Sequence, residues 1–316
     1  MATQSPSAQQ ISPHLVYQFG ERTFIENLAV RRNGHILLST FRDGSLFDLD
    51  PNAANPEANL VAELPGVSSL VGIAETADDV FAVGGGTRVP EGFGFIQGSM
   101  KVFRVDMNKK DAGAGASDVV AILADLPDTR GLNGMCALPG RPSVVLGADS
   151  KAGQILRIDT ATGRVDAPIV DALLRPSTDP TIVPIGVNGI RVSGEYLYFS
   201  NSGLGFFGRV RITADGERAG EVERIAGIEN PAMMHAYDDF AVVASDGGPT
   251  TAYVTLHANA VQKIGVDDGS QTSFVGGGES TLLKNPTSAA LSRDRQKLYI
   301  CTAGGQVVEV GIAGDS

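Results

Sequence analysis

The chain has 316 residues, 42% of them hydrophobic, with 39 Gly, 16 Pro and no Trp, a composition suited to a turn-rich globular protein whose core rests on Val, Ile, Leu and Ala. Its 36 acidic and 25 basic residues give a net charge of −11, which repels polyphosphates; with no Lys/Arg cluster to offset it, nucleic acid is excluded as a partner. No apolar stretch is long enough to span a bilayer, and the polar start "MATQSPSAQQISPH" lacks the apolar core of a signal peptide, so the cytoplasm is the expected compartment unless a leader has been removed.

After a segment 1–13 read as disordered or extended, "HLVYQFG" (14–20) stands as a lone strand. Strand signals then come in groups, each run short, rich in β-branched residues and bounded by Gly, Asp, Asn or Pro. The first group is "FIENLAV", "HILLSTF", "SLFDLD" and "NLVAEL"; the second is "LVGIAE", "DVFAVGG", "KVFRVDM" and "VVAILA". A third opens on "NGMCAL", a fourth on "NGIRVS", a fifth on "DDFAVVAS" and a sixth on "TSAALS". The groups begin near Asn27, Gly72, Asn133, Asn188, Asp239 and Thr287, a period of roughly 45–60 residues that falls in the range of propeller blades. Long amphipathic helix patterns, which a parallel α/β fold needs between its strands, are absent.

The expectation is therefore an all-β fold, one six-bladed β-propeller of four-stranded antiparallel blades spanning residues 14–316. The sixth group has only three strands, so the lone N-terminal strand is expected to complete it, with Leu15 to Phe19 beside Gln306 to Val310. That pairing would leave no open edge. Residues 84–100 form a long insert in blade two whose Phe93, Phe95, Ile96 and Met100 give it an apolar face; it reads either as a functional loop or as a flap packed on the body. Cys136 and Cys301 lie in apolar runs and read as buried thiols, with one disulfide as the alternative.

The first strand of a propeller blade lines the central channel, so residues at the strand entrances converge. Glu26, Asn133, Asn188 and Asp239 occupy that place. Polar groups at the head of apolar strands need partners, and four oxygen-bearing side chains around one axis suit a hard cation such as Ca²⁺. A second reading is that they cap neighbouring backbone groups.

The expected rim is apolar: Leu204, Phe206 and Phe207 in "GLGFFGRV", Met233 and Met234 in "NPAMMHAYDD", and Phe93 and Phe95 of the insert. Tyr237 and His235 belong to the same stretch, and His257 ends a strand near the same end. Apolar walls with a few convergent polar groups suit a small, greasy, partly oxygenated ligand. His235 and His257 are candidate acid–base or hydrogen-bonding groups. No Gly-x-Ser-x-Gly elbow occurs and "GVDDGSQTSFVGGGES" lacks the P-loop Lys, which disfavours covalent acyl chemistry and phosphate cradling.

From Phe24 to Ile312 the chain resembles the senescence marker protein/gluconolactonase/luciferin-regenerating family of six-bladed propellers, most clearly at the entrance motifs. The resemblance implies one divalent metal (Ca²⁺, Zn²⁺ or Mn²⁺) on Glu26, Asn133, Asn188 and Asp239. Arg130 stands near that family's substrate-contacting Arg, one residue further from its Asn. The phrases "TFIENLAVRRNGHILLST" and "NGIRVSGEYLYFSNSG" resemble a fungal natural-product branch that includes hetero-Diels–Alderases. That branch implies cycloaddition of a tropolone- or phenol-derived quinone methide with a terpene alkene, with no cofactor required. Arg130, Asn133, Asn188 and His257 would then be donors to the heterodiene oxygen. Glu26 or Asp239 would assist loss of water, and Phe206, Phe207, Met233 and Met234 would hold the alkene. The competing readings are a metal-dependent lactonase and a propeller that only binds a ligand. The sequence sets no oligomeric state.

Overall fold

Each run read as a strand pairs with its neighbour in the chain, because short β-branched segments joined by tight turns fold back antiparallel. A computed structural model describes residues 12–312 other than 21, 245–249 and 279; the expected N-terminal segment thus lies almost wholly outside the described residues. Within them are six four-stranded antiparallel sheets, the blades of a six-bladed β-propeller.

The inner strands of blades one to six are Ile25–Val30, Ser69–Ala77, Leu132–Leu138, Val187–Ser193, Tyr237–Val243 and Pro286–Leu291. Each packs against the inner strand of the next blade, and the sixth packs against the first. His14–Gln18 supplies the outer strand of blade six, pairing Leu15 with Val308 and Gln18 with Gln306. The ring is closed by joining the start of the chain to its end, as expected from the missing fourth strand.

Buried apolar side chains fill the wedges between adjacent blades. At the axis the blades approach backbone to backbone. A Cβ on Gly72 would stand 2.4 Å from the Asn133 carbonyl oxygen, and one on Gly134 would stand 2.5 Å from that of Asn188. The glycine of each Asn-Gly pair therefore serves close strand packing and not a hairpin tip.

Every inner strand also carries a register shift near its entrance. Such a bulge frees backbone groups, and hydroxyls of neighbouring blades satisfy some of them: Ser39 donates to the Val71 carbonyl, Ser150 to Val187, Ser202 to Tyr237 and Thr287 to Ile25. Helix is confined to short pieces, Met107–Asp111 and Ala116–Val119 in blade two and a 3₁₀ turn at Ala172–Leu174. Cys136 and Cys301 are free, buried thiols.

Candidate functional site

Aligned on their apolar first position, the inner strands read "IENL", "LVGI", "LNGM", "VNGI", "YDDF" and "PTSA". The second position of five blades, Glu26, Val71, Asn133, Asn188 and Asp238, lines one cup at the channel mouth. The third position lies a tier deeper. This corrects the expected ring by one residue: Asp238, not Asp239, joins Glu26, Asn133 and Asn188. Asp239 is held below by Asn27 Nδ2 at 2.8 Å, Arg191 at 2.8 Å and Ser288 Oγ at 2.9 Å. That carboxylate is buried and fully paired, and it lies outside the lining of the cup.

The cup encloses about 270 Å³. Phe24, Phe41, Phe93 and Phe95, joined by ring contacts through Phe41, form one wall, and Val183, Ile185, Met233, Met234, Arg42 and Lys151 belong to the rest of the lining. The insert of blade two leans over the first wall. Arg88 bridges to Phe95, stacks its guanidinium 4.9 Å above the Phe41 ring and donates to the Gly92 carbonyl at 3.2 Å. Phe41 in turn lies 6.2 Å from Phe93 and 6.0 Å from Phe95.

Part of the lining is polar. His257 Nε2 lies 2.7 Å from Asp238 Oδ2. Burial raises the Asp238 pKa, and the hydrogen bond from His257 opposes that rise. Glu26 is raised well above the usual carboxylate range, first by burial and then by the charges of Asp238 and Asp239. Among the described residues no hydrogen bond or cation compensates its carboxyl. The orientation of Asn188 follows from a chain of bonds: Ser202 Oγ donates to the Tyr237 carbonyl at 2.6 Å and so accepts from Asn188 Nδ2 at 2.9 Å. Asn188 Oδ1 is left buried without a partner. The expected donor Asn188 therefore offers the cup an acceptor.

The uncompensated Glu26 carboxyl, the Asp238 carboxyl bonded to His257 and an orphaned amide oxygen form a donor set that suits a hard cation. The set holds only two carboxylates, and no group of three or more His, Cys, Asp or Glu placed to hold a metal occurs among the described residues.

Eight expected residues line the cup: Glu26, Asn133, Asn188, His257, Phe93, Phe95, Met233 and Met234. The others do not. Phe206, Phe207 and Tyr237 are 2%, 0% and 0% exposed, because they begin strands whose side chains fill the wedges between blades. Phe206 meets Phe199 edge-on, Phe207 meets Phe240, and the Tyr237 hydroxyl lies 2.7 Å from Gln262 Oε1. His235 is turned to the Asn230 carbonyl, 3.3 Å from its Nδ1, and Arg130 is exposed outside the lining residues. The expectation missed Asp238, Phe24, Phe41, Arg42 and Lys151. For Asp238 the signal was present, since Tyr237 takes the apolar first position and hands the Asn position to Asp238.

No protein-family model matches the chain. A candidate hetero-Diels-Alderase of Sarocladium schorii is 26% identical, with 97% of this chain and 81% of the relative covered. A second candidate hetero-Diels-Alderase, of a Phoma species, is 27% identical over 90% of this chain and 85% of its own length. The resemblance read from the entrance motifs is thereby borne out. Among solved structures, the calcium-binding protein regucalcin of Agrobacterium tumefaciens superposes with a TM-score of 0.64, 17% identity and coverage of 96% of this chain and 94% of that one, a likeness of fold. No helix among the described residues is long and apolar enough to cross a membrane.

Proposed function

We propose that the cup catalyses an intermolecular hetero-Diels–Alder cycloaddition between a phenol- or tropolone-derived quinone methide and a terpene alkene. One observation carries this reading: an acid–base group, Glu26 with the Asp238–His257 pair, shares one cup with apolar walls. The similarity to two candidate hetero-Diels-Alderases supports it.

Burial and the neighbouring carboxylates favour the protonated form of Glu26, which suits it to give its proton to a benzylic hydroxyl as that group leaves as water. Asn188 Oδ1, an acceptor, takes the hydrogen bond of the same hydroxyl and orients it. His257, whose Nε2 is held by Asp238, has Nδ1 left to take the proton of the ring hydroxyl. The ring then becomes a quinone methide, and the proton returns from His257 to Glu26 through the released water. The methide carbon and the ring oxygen add to the two alkene carbons, forming one C–C and one C–O bond. This step needs no nucleophile and gains from alignment in a water-poor site. The Asn133 amide, in the same lining, is the donor for the oxygen on which charge develops. Phe93, Phe95, Met233 and Met234 hold the alkene.

A divalent cation would be held by Glu26, Asn133, Asn188 and Asp238, and when bound would polarise a substrate oxygen as a Lewis acid. The uncompensated Glu26 carboxyl and the orphaned Asn188 Oδ1 favour, as a second reading, a metal-dependent lactonase. The two are separated by assaying the purified protein with a hydroxymethyl phenol plus a terpene, and with lactones, before and after chelation. Adduct formation that survives chelation supports cycloaddition. Lactone turnover lost on chelation, with no adduct, supports the hydrolase.

A further inference from the structure

The second strand of each blade ends at the cup mouth: Thr40, Gly86, Asp149, Asn201, Leu256 and Thr302. Two residues further on, the six blades carry Arg42, Arg88, Lys151, Gly203, Ala258 and Gly304. Structurally equivalent turns of blades one to three thus place cations on one arc of the mouth, and those of blades four to six place small residues on the other. This concentration occurs in a chain of net charge −11.

Arg42 and Lys151 both line the cup. Neither pairs with a carboxylate among the described residues. Among the described residues the one hydrogen bond of Lys151 Nζ is to the Pro184 carbonyl, at 2.7 Å, and partial burial lowers its pKa, so the half-buried amine has donors left for a ligand. The Arg42 guanidinium lies 5.9 Å from the Phe24 ring centroid. Phe24 is 5.1 Å from Phe41, over which Arg88 stacks. Alternating guanidinium and phenyl groups favour a flat, delocalised anion over a compact one, because such an anion can stack as well as accept hydrogen bonds.

We propose that Arg42 and Lys151, the two cations of the cup lining, select an anion, so that the cup receives one ligand as a planar aromatic oxyanion seated against Phe24 and Phe41 beside Arg42, with Lys151 as the second cation on the Val183–Ile185 side. Its identification with the heterodiene precursor rests on the cycloaddition reading. The binding claim does not.

The test uses tropolonate and neutral tropone as probes, each followed by its own absorbance in a protein that has no Trp. Tropolonate should bind roughly tenfold more tightly than tropone at low salt, and the margin should shrink as salt screens the two cations. Arg42→Gln and Lys151→Gln should each weaken tropolonate roughly fivefold, leave tropone unchanged and melt like the parent; Arg42→Lys should recover part of the loss. Equal affinities for the two probes, or unchanged tropolonate binding in both Gln variants, would overturn the proposal. The two readings fail separately. Adduct formation indifferent to Arg42 and Lys151, with tropolonate binding that depends on them, sinks the identification with the heterodiene precursor alone, and arginine-dependent tropolonate binding without adduct sinks the cycloaddition alone.

Discussion

His257 Nε2 lies 2.7 Å from Asp238 Oδ2, joining the end of the second strand of blade five to the inner strand of the same blade. The carboxylate fixes which imidazole nitrogen remains for substrate, so the two residues act as one base. Replacing His257 by Ala should lower kcat for adduct formation about hundredfold, within the range of general-base effects. Asp238→Asn should cost a similar factor, and the double variant should be little worse than either single one. Additive losses in kcat would show that the two side chains work independently.

Glu26 sets the pH behaviour. Its folded pKa is raised, so the folded protein holds this proton more tightly than the unfolded chain does. The stabilisation is complete below the ordinary carboxylate range, about pH 4, and is lost as pH rises from there through the raised folded pKa. Asp238 shifts in the same direction. Glu26→Gln should therefore melt at a higher temperature than the parent at pH 8, with a flatter dependence of Tm on pH, while losing adduct formation. A parent Tm that climbs between pH 5 and pH 8 faster than that of the variant would contradict the assignment.

The aromatic residues divide into wall and core. Phe206 fills the wedge between blades three and four, and Phe206→Ala should cost about 3–5 kcal/mol of stability, as large-to-small changes in a core do. Phe93 and Met234 are 45% and 55% exposed. Their Ala variants should change stability by less than about 1 kcal/mol and raise KM for the terpene severalfold. Denaturant unfolding and steady-state kinetics on the three variants separate the classes.

Close packing at the axis makes its own prediction. A Cβ on Gly189 would stand 2.3 Å from Asp239 Oδ1, an oxygen of a buried, fully paired carboxylate. Gly189→Ala should destabilise by about 1–3 kcal/mol or more. Gly115, with nothing within 4 Å of its Cβ direction, is the control and should tolerate Ala. Equal melting temperatures for the two variants would remove the packing argument.

The propeller is legible in the sequence because its strands are short, locally paired and periodic, so that pattern and topology coincide. Leu15 and Gln306 reveal closure through the strand that is missing elsewhere. Glu26, Asn133 and Asn188 are legible because each follows an apolar first position. Asp238 was missed beside Asp239 because two adjacent carboxylates differ only in tier, and the bulge decides which one faces the cup. Phe206 and Phe207 mislead in the opposite way: flanking glycines suggest a loop, yet the residues open a strand between blades. Arg42 and Lys151 form a site only through the equivalence of turns 109 positions apart, which no local pattern contains.

The most direct test is chiral analysis of the adduct formed when the protein meets a hydroxymethyl phenol and a terpene alkene in dilute buffer. The account predicts adduct faster than in buffer alone, strongly enriched in one enantiomer, with both effects lost in His257→Ala. Racemic adduct at the uncatalysed rate would contradict it.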